Sequence, residues 1–262
     1  MNNNSPIGIF DSGVGGTSIW KEIHALLPNE NTIYLADSAN APYGNRIPNE
    51  ILDLSIKNSQ YLIDKGCKII VVACNTATTN AISILREKFN VPIIGIEPAI
   101  KPAALLTTSK SIGILATKGT LSSALFNETT STFTKDIHLV EVIGEGLVTL
   151  IENGDLESEK LKVLLTKYLN PIINKRCDYL VLGCTHYPYL IPIIKQLLPP
   201  SIKVIDSGTA VAKQTKNVLF KHNLLNNSNK DPDCIFKTNT TPNTLLKLLS
   251  NYKHINIETE AF

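Results

Sequence analysis

The sequence predicts an α/β protein built from two similar halves, each with a mostly parallel sheet and helices on both of its faces. Three observations carry this. Short, wholly apolar runs alternate with amphipathic stretches of helical length, the pattern of parallel strands covered on both sides. A block in the first half of the chain repeats in the second. The length, 262 residues, suits one large domain or two of about 100–150 residues.

In chain order, Ile7–Phe10, Thr32–Ala36, Lys68–Ala73 and Pro92–Gly95 read as strands of the first half. Ser111–Ala116, Ile137–Val142, Asp178–Gly183 and Lys203–Ile205 repeat that style in the second. Pro48–Lys65, Thr76–Phe89, Leu121–Phe133 and Glu157–Lys175 read as intervening helices. Beyond Asp206 the pattern changes: Lys213–Phe220 reads as a helix, Asn223–Pro232 as a polar, turn-rich connection and Cys234–Lys237 as one more strand. The C-terminal segment is expected to return to the first half. That gives a discontinuous first domain, residues 1–98 plus 207–262, and a second domain, residues 99–206.

The repeat is specific. Lys65, Cys67, Val71 and Cys74 match Lys175, Cys177, Val181 and Cys184, every pair 110 positions apart. Ile7-Gly-Ile-Phe likewise matches Ile112-Gly-Ile-Leu, 105 positions on. Each half then places a cysteine just after a central strand. The alternative is a chance likeness between two ordinary buried strands.

Composition narrows the function classes. Net charge is +2, with 43% hydrophobic and 18% charged residues. That is too little charge, without any basic stripe, to predict a nucleic acid or an anionic membrane as partner. The polar start Met1-Asn-Asn-Asn-Ser-Pro has no apolar signal core, and no apolar run approaches the roughly 20 residues of a membrane span. A cytoplasmic protein is expected. Five cysteines, an odd number, argue against a disulfide framework, and their spacing is not that of a zinc site.

Polar clusters follow the predicted strands: Asp11-Ser12, Asp37 with Pro42-Tyr43-Gly44, Cys74-Asn75-Thr76, Thr117, Cys184-Thr185-His186 and Asp206-Ser207. The carboxyl ends of strands form the binding crevice of open α/β sheets, so these clusters are expected to face one cleft. Asp11-Ser-Gly-Val-Gly-Gly16 fails the dinucleotide pattern, because Ser18 stands at the third glycine position, and no Gly-Lys-Ser/Thr follows for a P-loop. A turn whose amides hold a carboxylate is the better reading, with a plain connection as the alternative. Cys67, Cys177 and Cys234 read as small buried apolar residues. Cys74 and Cys184 do not, since each precedes polar residues where a loop leaves the sheet. A nearby helix N-terminus would lower a thiol's pKa and favour thiolate. One could be a nucleophile with His186 as base; two in matched positions suggest a thiolate and a thiol acting in opposition.

Asp11-Ser-Gly-Val-Gly-Gly, Asp37 with Pro42-Tyr-Gly, Ala73-Cys-Asn-Thr-Ala and Leu182-Gly-Cys-Thr-His-Tyr-Pro188 resemble the signature blocks of glutamate racemases, in their order and spacing, from about Ile7 to Ser207. The resemblance implies two pseudo-symmetric domains with the active site in the cleft between them. It also implies that L- and D-glutamate are interconverted without a cofactor or metal, supplying D-glutamate for peptidoglycan. By the same resemblance, Cys74 and Cys184 are the acid/base pair, tuned by Asp11 and His186, with Glu152 helping on the Cys184 side. Asp11, Ser12, Tyr43, Gly44, Asn75, Thr76, Thr185 and His186 would hold the substrate. A homodimer is compatible with the chain. Two stretches depart from the pattern, Thr17-Ser-Ile-Trp20 and Gly144-Glu-Gly146. The rival readings are an aspartate-directed or related two-cysteine racemase and a non-catalytic glutamate-binding protein. His24, His138, His222 and His254 read as structural residues without partners, and Trp20 as packing.

Overall fold

Strands covered on both faces need apolar side chains on both, and the central strands here supply them. In the computed structural model, residues 2–228 and 230–262 are described; Met1 of the polar start and Asn229 of the predicted connection lie outside them. The first half comprises β1 (Ile7–Asp11), α1 (Thr17–Leu26), β2 (Thr32–Ala36), α2 (Pro48–Asp64), β3 (Ile69–Val72), α3 (Asn75–Lys88) and β4 (Ile93–Gly95); α4 (Ile100–Leu106) follows and packs on the second sheet. The second comprises β5 (Ser111–Ala116), α5 (Lys118–Leu121), α6 (Ala124–Phe133), β6 (His138–Ile143), α7 (Leu147–Glu152), α8 (Glu159–Asn174), β7 (Tyr179–Gly183), α9 (Ile191–Leu197) and β8 (Lys203–Ile205). The remainder is α10 (Gly208–Lys221), β9 (Cys234–Thr238), α11 (Asn243–Leu249) and β10 (Ile255–Thr259).

One sheet runs β10-β9-β2-β1-β3-β4 and the other β6-β5-β7-β8, with every strand pair parallel. Without β9 and β10 the two orders are the same, so the sequence repeat is a repeat of topology. It extends to backbone detail. Gly66 (φ 79°) and Arg176 (φ 53°) both take the left-handed conformation that ends the preceding helix, and both following amides return to that helix, Cys67 to Leu62 and Cys177 to Ile172.

Alternation along the strands sorts their side chains onto two faces. Ile7, Ile9, Ile69 and Val71 of the first sheet and Leu180 and Leu182 of the second join one apolar layer with α1, α7, α8 and α10. Phe10, Ile70 and Val72 face away into a layer under α2 and α3, while Ile112, Ile114 and Val181 face α4 and α6. Trp20 is fully buried and donates its indole N–H to Thr32 Oγ1 at 3.0 Å. Thr17, at the start of the departing α1 segment, meets the Tyr189 hydroxyl at 2.5 Å.

Several expectations change. The helix read over 121–133 breaks, because the Ser123 hydroxyl accepts the Phe126 amide and starts a new helix. The helix read from Lys213 begins earlier, at Gly208. His254 is not partnerless, lying 3.9 Å from Asp231 as an exposed pair. His24 stacks on Trp20. The strand β10 is an addition to the expected set, and its Ile-Asn-Ile-Glu-Thr alternates as an edge strand should. Among the described residues, no helix is long and apolar enough to cross a membrane.

Candidate active site

β1, β3 and β7 end side by side with their neighbours at the carboxyl edges of the two sheets, and each delivers a polar cluster there. Ser12, Tyr43, Gly44, Cys74, Asn75, Thr76, Cys184, Thr185 and His186 line one cavity. Asp11 and Glu152 stand one layer behind it.

Cys74 ends the path of β3 and caps α3. Its sulfur accepts the Ala77 N–H at 3.4 Å and lies 3.7 Å from the Ser12 hydroxyl. Burial pushes the thiol well above its ordinary value, with the charge of Asp11 adding to it and the Ala77 and Ser12 contacts opposing. The helix terminus is therefore present, but the expected lowering is reversed by desolvation. Cys74 rests protonated.

Asp11 closes β1. Its carboxylate accepts the amides of Gly13 at 3.2 Å and Gly16 at 2.9 Å, and the Thr185 hydroxyl at 3.2 Å. Burial raises its pKa to about 6, against the lowering effects of His186 and the Gly16 amide. The sign for stability follows. Between about pH 4, where an unfolded Asp titrates, and about pH 6 the native protein holds a proton that the unfolded chain has released. Stability therefore falls as pH rises through that window. Asp11→Asn should flatten this slope, so that the melting temperature of the variant gains on the parent between pH 4 and 6.5. A constant difference across the range would refute the assignment.

On the other side, Cys184 Sγ lies 3.7 Å from His186 Nδ1, and His186 Nε2 lies 2.5 Å from Glu152 Oε1. Burial lowers the imidazole's pKa, but hydrogen bonds to Cys184 and Glu152 outweigh it and hold His186 well above its ordinary value. A charged His186 therefore faces the sulfur with a donor that can hold a thiolate or return its proton. The same Glu152 oxygen accepts the Val14 amide at 2.7 Å. The glycines of the turn permit this approach: a Cβ on Gly13 would lie 2.0 Å from Glu152 Oε1, and one on Gly15 2.2 Å from His186 Nδ1. The turn thus holds carboxylates, as expected, but they are the protein's own.

The remaining residues divide. The Tyr43 hydroxyl donates to Asp37 and accepts from Asn58 at 3.1 Å, so the phenol is already engaged. Thr76 Oγ1 is 2.9 Å from Thr117 Oγ1. Asn75 differs from both: its side-chain Nδ2 and Oδ1 are buried without a hydrogen-bond partner among the described residues. Buried amides are normally satisfied, so this one is free to meet a ligand. The cavity itself measures about 10 Å³, room for about one water. A larger space of about 330 Å³ adjoins it through Pro42, Gly44, Thr117 and Val148. Ser38, which no local signal marks, donates to Glu152 Oε2 at 2.8 Å across 114 positions of sequence.

Comparison with known proteins places the chain in a family. The family model described as Asp/Glu/hydantoin racemase matches residues 7–215. A glutamate racemase of Pseudomonas syringae pv. tomato is 43% identical over 246 residues, covering 94% of this chain and 89% of that protein. The crystal structure of Escherichia coli glutamate racemase in complex with L-glutamate superposes with a TM-score of 0.87 at 33% identity, over 98% of both chains. That of the Francisella tularensis glutamate racemase in complex with D-glutamate gives 0.83 at 29% identity, also over 98% of both.

Proposed function

Because the chain belongs to the Asp/Glu/hydantoin racemase family, we propose that it interconverts L- and D-glutamate, with Cys74 and Cys184 as the two acid/base groups. The observation that carries this is one cavity lined by two thiols from matched positions of the two halves, together with an unsatisfied buried amide at Asn75. Inverting a carbon needs a proton removed on one face and delivered on the other. A single base returning its own proton would regenerate the starting enantiomer.

In the L-to-D direction, Cys184 takes the α-proton while His186, charged and braced by Glu152, faces its sulfur. Cys74, held protonated by burial and Asp11, delivers its own proton to the opposite face. The thiols then exchange roles. Asp11, its carboxylate held by Gly13, Gly16 and Thr185, acts on Cys74 through its charge, which favours the protonated thiol. Negative charge developing on the substrate's carboxylate is met by preorganised donors, of which the free Asn75 amide is the foremost. Ser12, Thr76, Thr185 and the wall formed by Tyr43 and Gly44 complete the binding surface. A cavity of about 10 Å³ is smaller than glutamate, so the cleft opens for entry and closes over the substrate, excluding water.

The domains we assign are residues 1–98 with 207–262, and residues 99–206; the addition of β9 and β10 to the first sheet supports this division. Five unpaired cysteines suit the reducing cytoplasm, where D-glutamate would feed peptidoglycan synthesis. The test is direct. Purified protein incubated with D-glutamate and a metal chelator, without pyridoxal phosphate, should bring the optical rotation to zero. Glutamate should be strongly preferred over aspartate and glutamine, since polar groups placed for its side-chain carboxylate are left unmet by analogues that lack one there. Dependence on added cofactor would overturn the two-thiol reading, and comparable kcat/KM for aspartate would move the substrate.

A further inference from the structure

We propose that Ser38 is a positioning residue for the reaction, fixing Glu152 so that the His186–Cys184 pair is correctly aimed only when the two halves are together. Glu152 lies at the last turn of α7, where the helix dipole disfavours a carboxylate, so its orientation depends on donors from elsewhere. Its Oε1 is shared by Val14 N–H at 2.7 Å and His186 Nε2 at 2.5 Å. Among the described residues its Oε2 has one donor, the Ser38 hydroxyl at 2.8 Å. With two donors on one oxygen, the carboxylate can still rotate about its last bond; the Ser38 contact removes that freedom.

Ser38 is itself rigidly held. It begins a short 3₁₀ turn after β2, its carbonyl accepts the Ala41 amide at 3.2 Å, and the next residue's amide donates to Asn239 Oδ1 at 2.8 Å. Asn239 in turn donates to Asp37 Oδ1 at 2.6 Å. Val14 and Ser38 both belong to the first half, whereas Glu152, His186 and Cys184 belong to the second. Separation of the halves would strip two donors from Glu152 at once, leaving His186 with an unanchored partner. Bringing the halves together therefore also sets the Cys184 side for proton transfer.

This rests on the proposed racemase reaction, and the test separates the two ideas. In Ser38→Ala, kcat should fall about tenfold, the scale of one charge-assisted hydrogen bond, with KM changed little. The deciding measurement is the α-deuterium isotope effect taken separately with L- and D-glutamate. Slowed transfer at Cys184 alone should enlarge the effect for the enantiomer that Cys184 deprotonates and shrink it for the other. Cys184→Ser, assayed for loss of α-proton exchange in heavy water, identifies that enantiomer independently. Ser38→Thr, which keeps a hydroxyl, should restore most of the rate. Isotope effects that stay symmetric in Ser38→Ala, or failure of Ser38→Thr to rescue a folded protein, would overturn the role of Ser38. An inactive parent protein would instead overturn the racemase reading.

Discussion

Replacing either thiol by a hydroxyl, in Cys74→Ser or Cys184→Ser, should lower glutamate racemisation at least about a thousandfold, the scale of a lost general acid or base. Serine nearly matches cysteine in shape but is far less acidic, so the cavity stays and the base goes. Each full cycle needs both residues. In heavy water the surviving thiol still faces one enantiomer. Residual deuterium exchange should favour L-glutamate in Cys74→Ser and D-glutamate in Cys184→Ser. Cys67→Ser is the control: that thiol is buried away from the cavity and pushed up to about 12 by desolvation, so turnover per folded molecule should remain near normal. A folded active-site variant racemising at the parent rate would end the two-thiol mechanism.

The largest expected effect on stability lies at the opposite end of the first sheet. Lys68, just before β3, places its ammonium 2.6 Å from Glu30 and donates to the Asn3 carbonyl at 2.6 Å; both charged side chains are almost wholly buried. Glu30 also accepts the Asn226 amide at 2.8 Å, tying down the connection after α10. Burial lowers the Lys68 pKa, opposed by Glu30. Glu30→Ala leaves that ammonium without its counter-charge, and breaking a buried pair in this way costs about 3–5 kcal/mol. For a chain of this size the melting temperature should drop by about 10 °C. Glu30→Leu combined with Lys68→Met removes both charges and should regain more than half of the loss. Activity per folded molecule should be unchanged, since the pair sits at the amino ends of the strands. A single variant as stable as the parent would show that the pair contributes nothing net.

The equivalent position in the second half, Asp178, illustrates what a sequence repeat carries. Lys68 and Asp178 both begin a central strand, 110 positions apart. One is met by a carboxylate, the other by the Thr107 hydroxyl at 2.6 Å and the Thr108 amide at 2.6 Å, contacts that hold its carboxyl well below the usual range despite burial. The repeat preserves the strand and the cysteine that follows it; the partners are chosen separately in each half.

Strand positions, the matched placement of Cys74 and Cys184 and the polar clusters at the strand ends were legible from the chain alone. They depend on local patterns: alternation of apolar residues, glycine and serine punctuation, and the spacing of short blocks. The narrow cavity, the protonated state of Cys74, the raised carboxyl of Asp11 and the occupied hydroxyl of Tyr43 were decided by tertiary structure. Each follows from removing a particular group from water beside particular neighbours, and desolvation is not a property of any window of sequence. The same holds for Glu152, whose donors Val14 and Ser38 lie 138 and 114 positions away. Sequence placed a carboxylate on the Cys184 side; only the packing of one half against the other gave it the contacts that hold His186 charged.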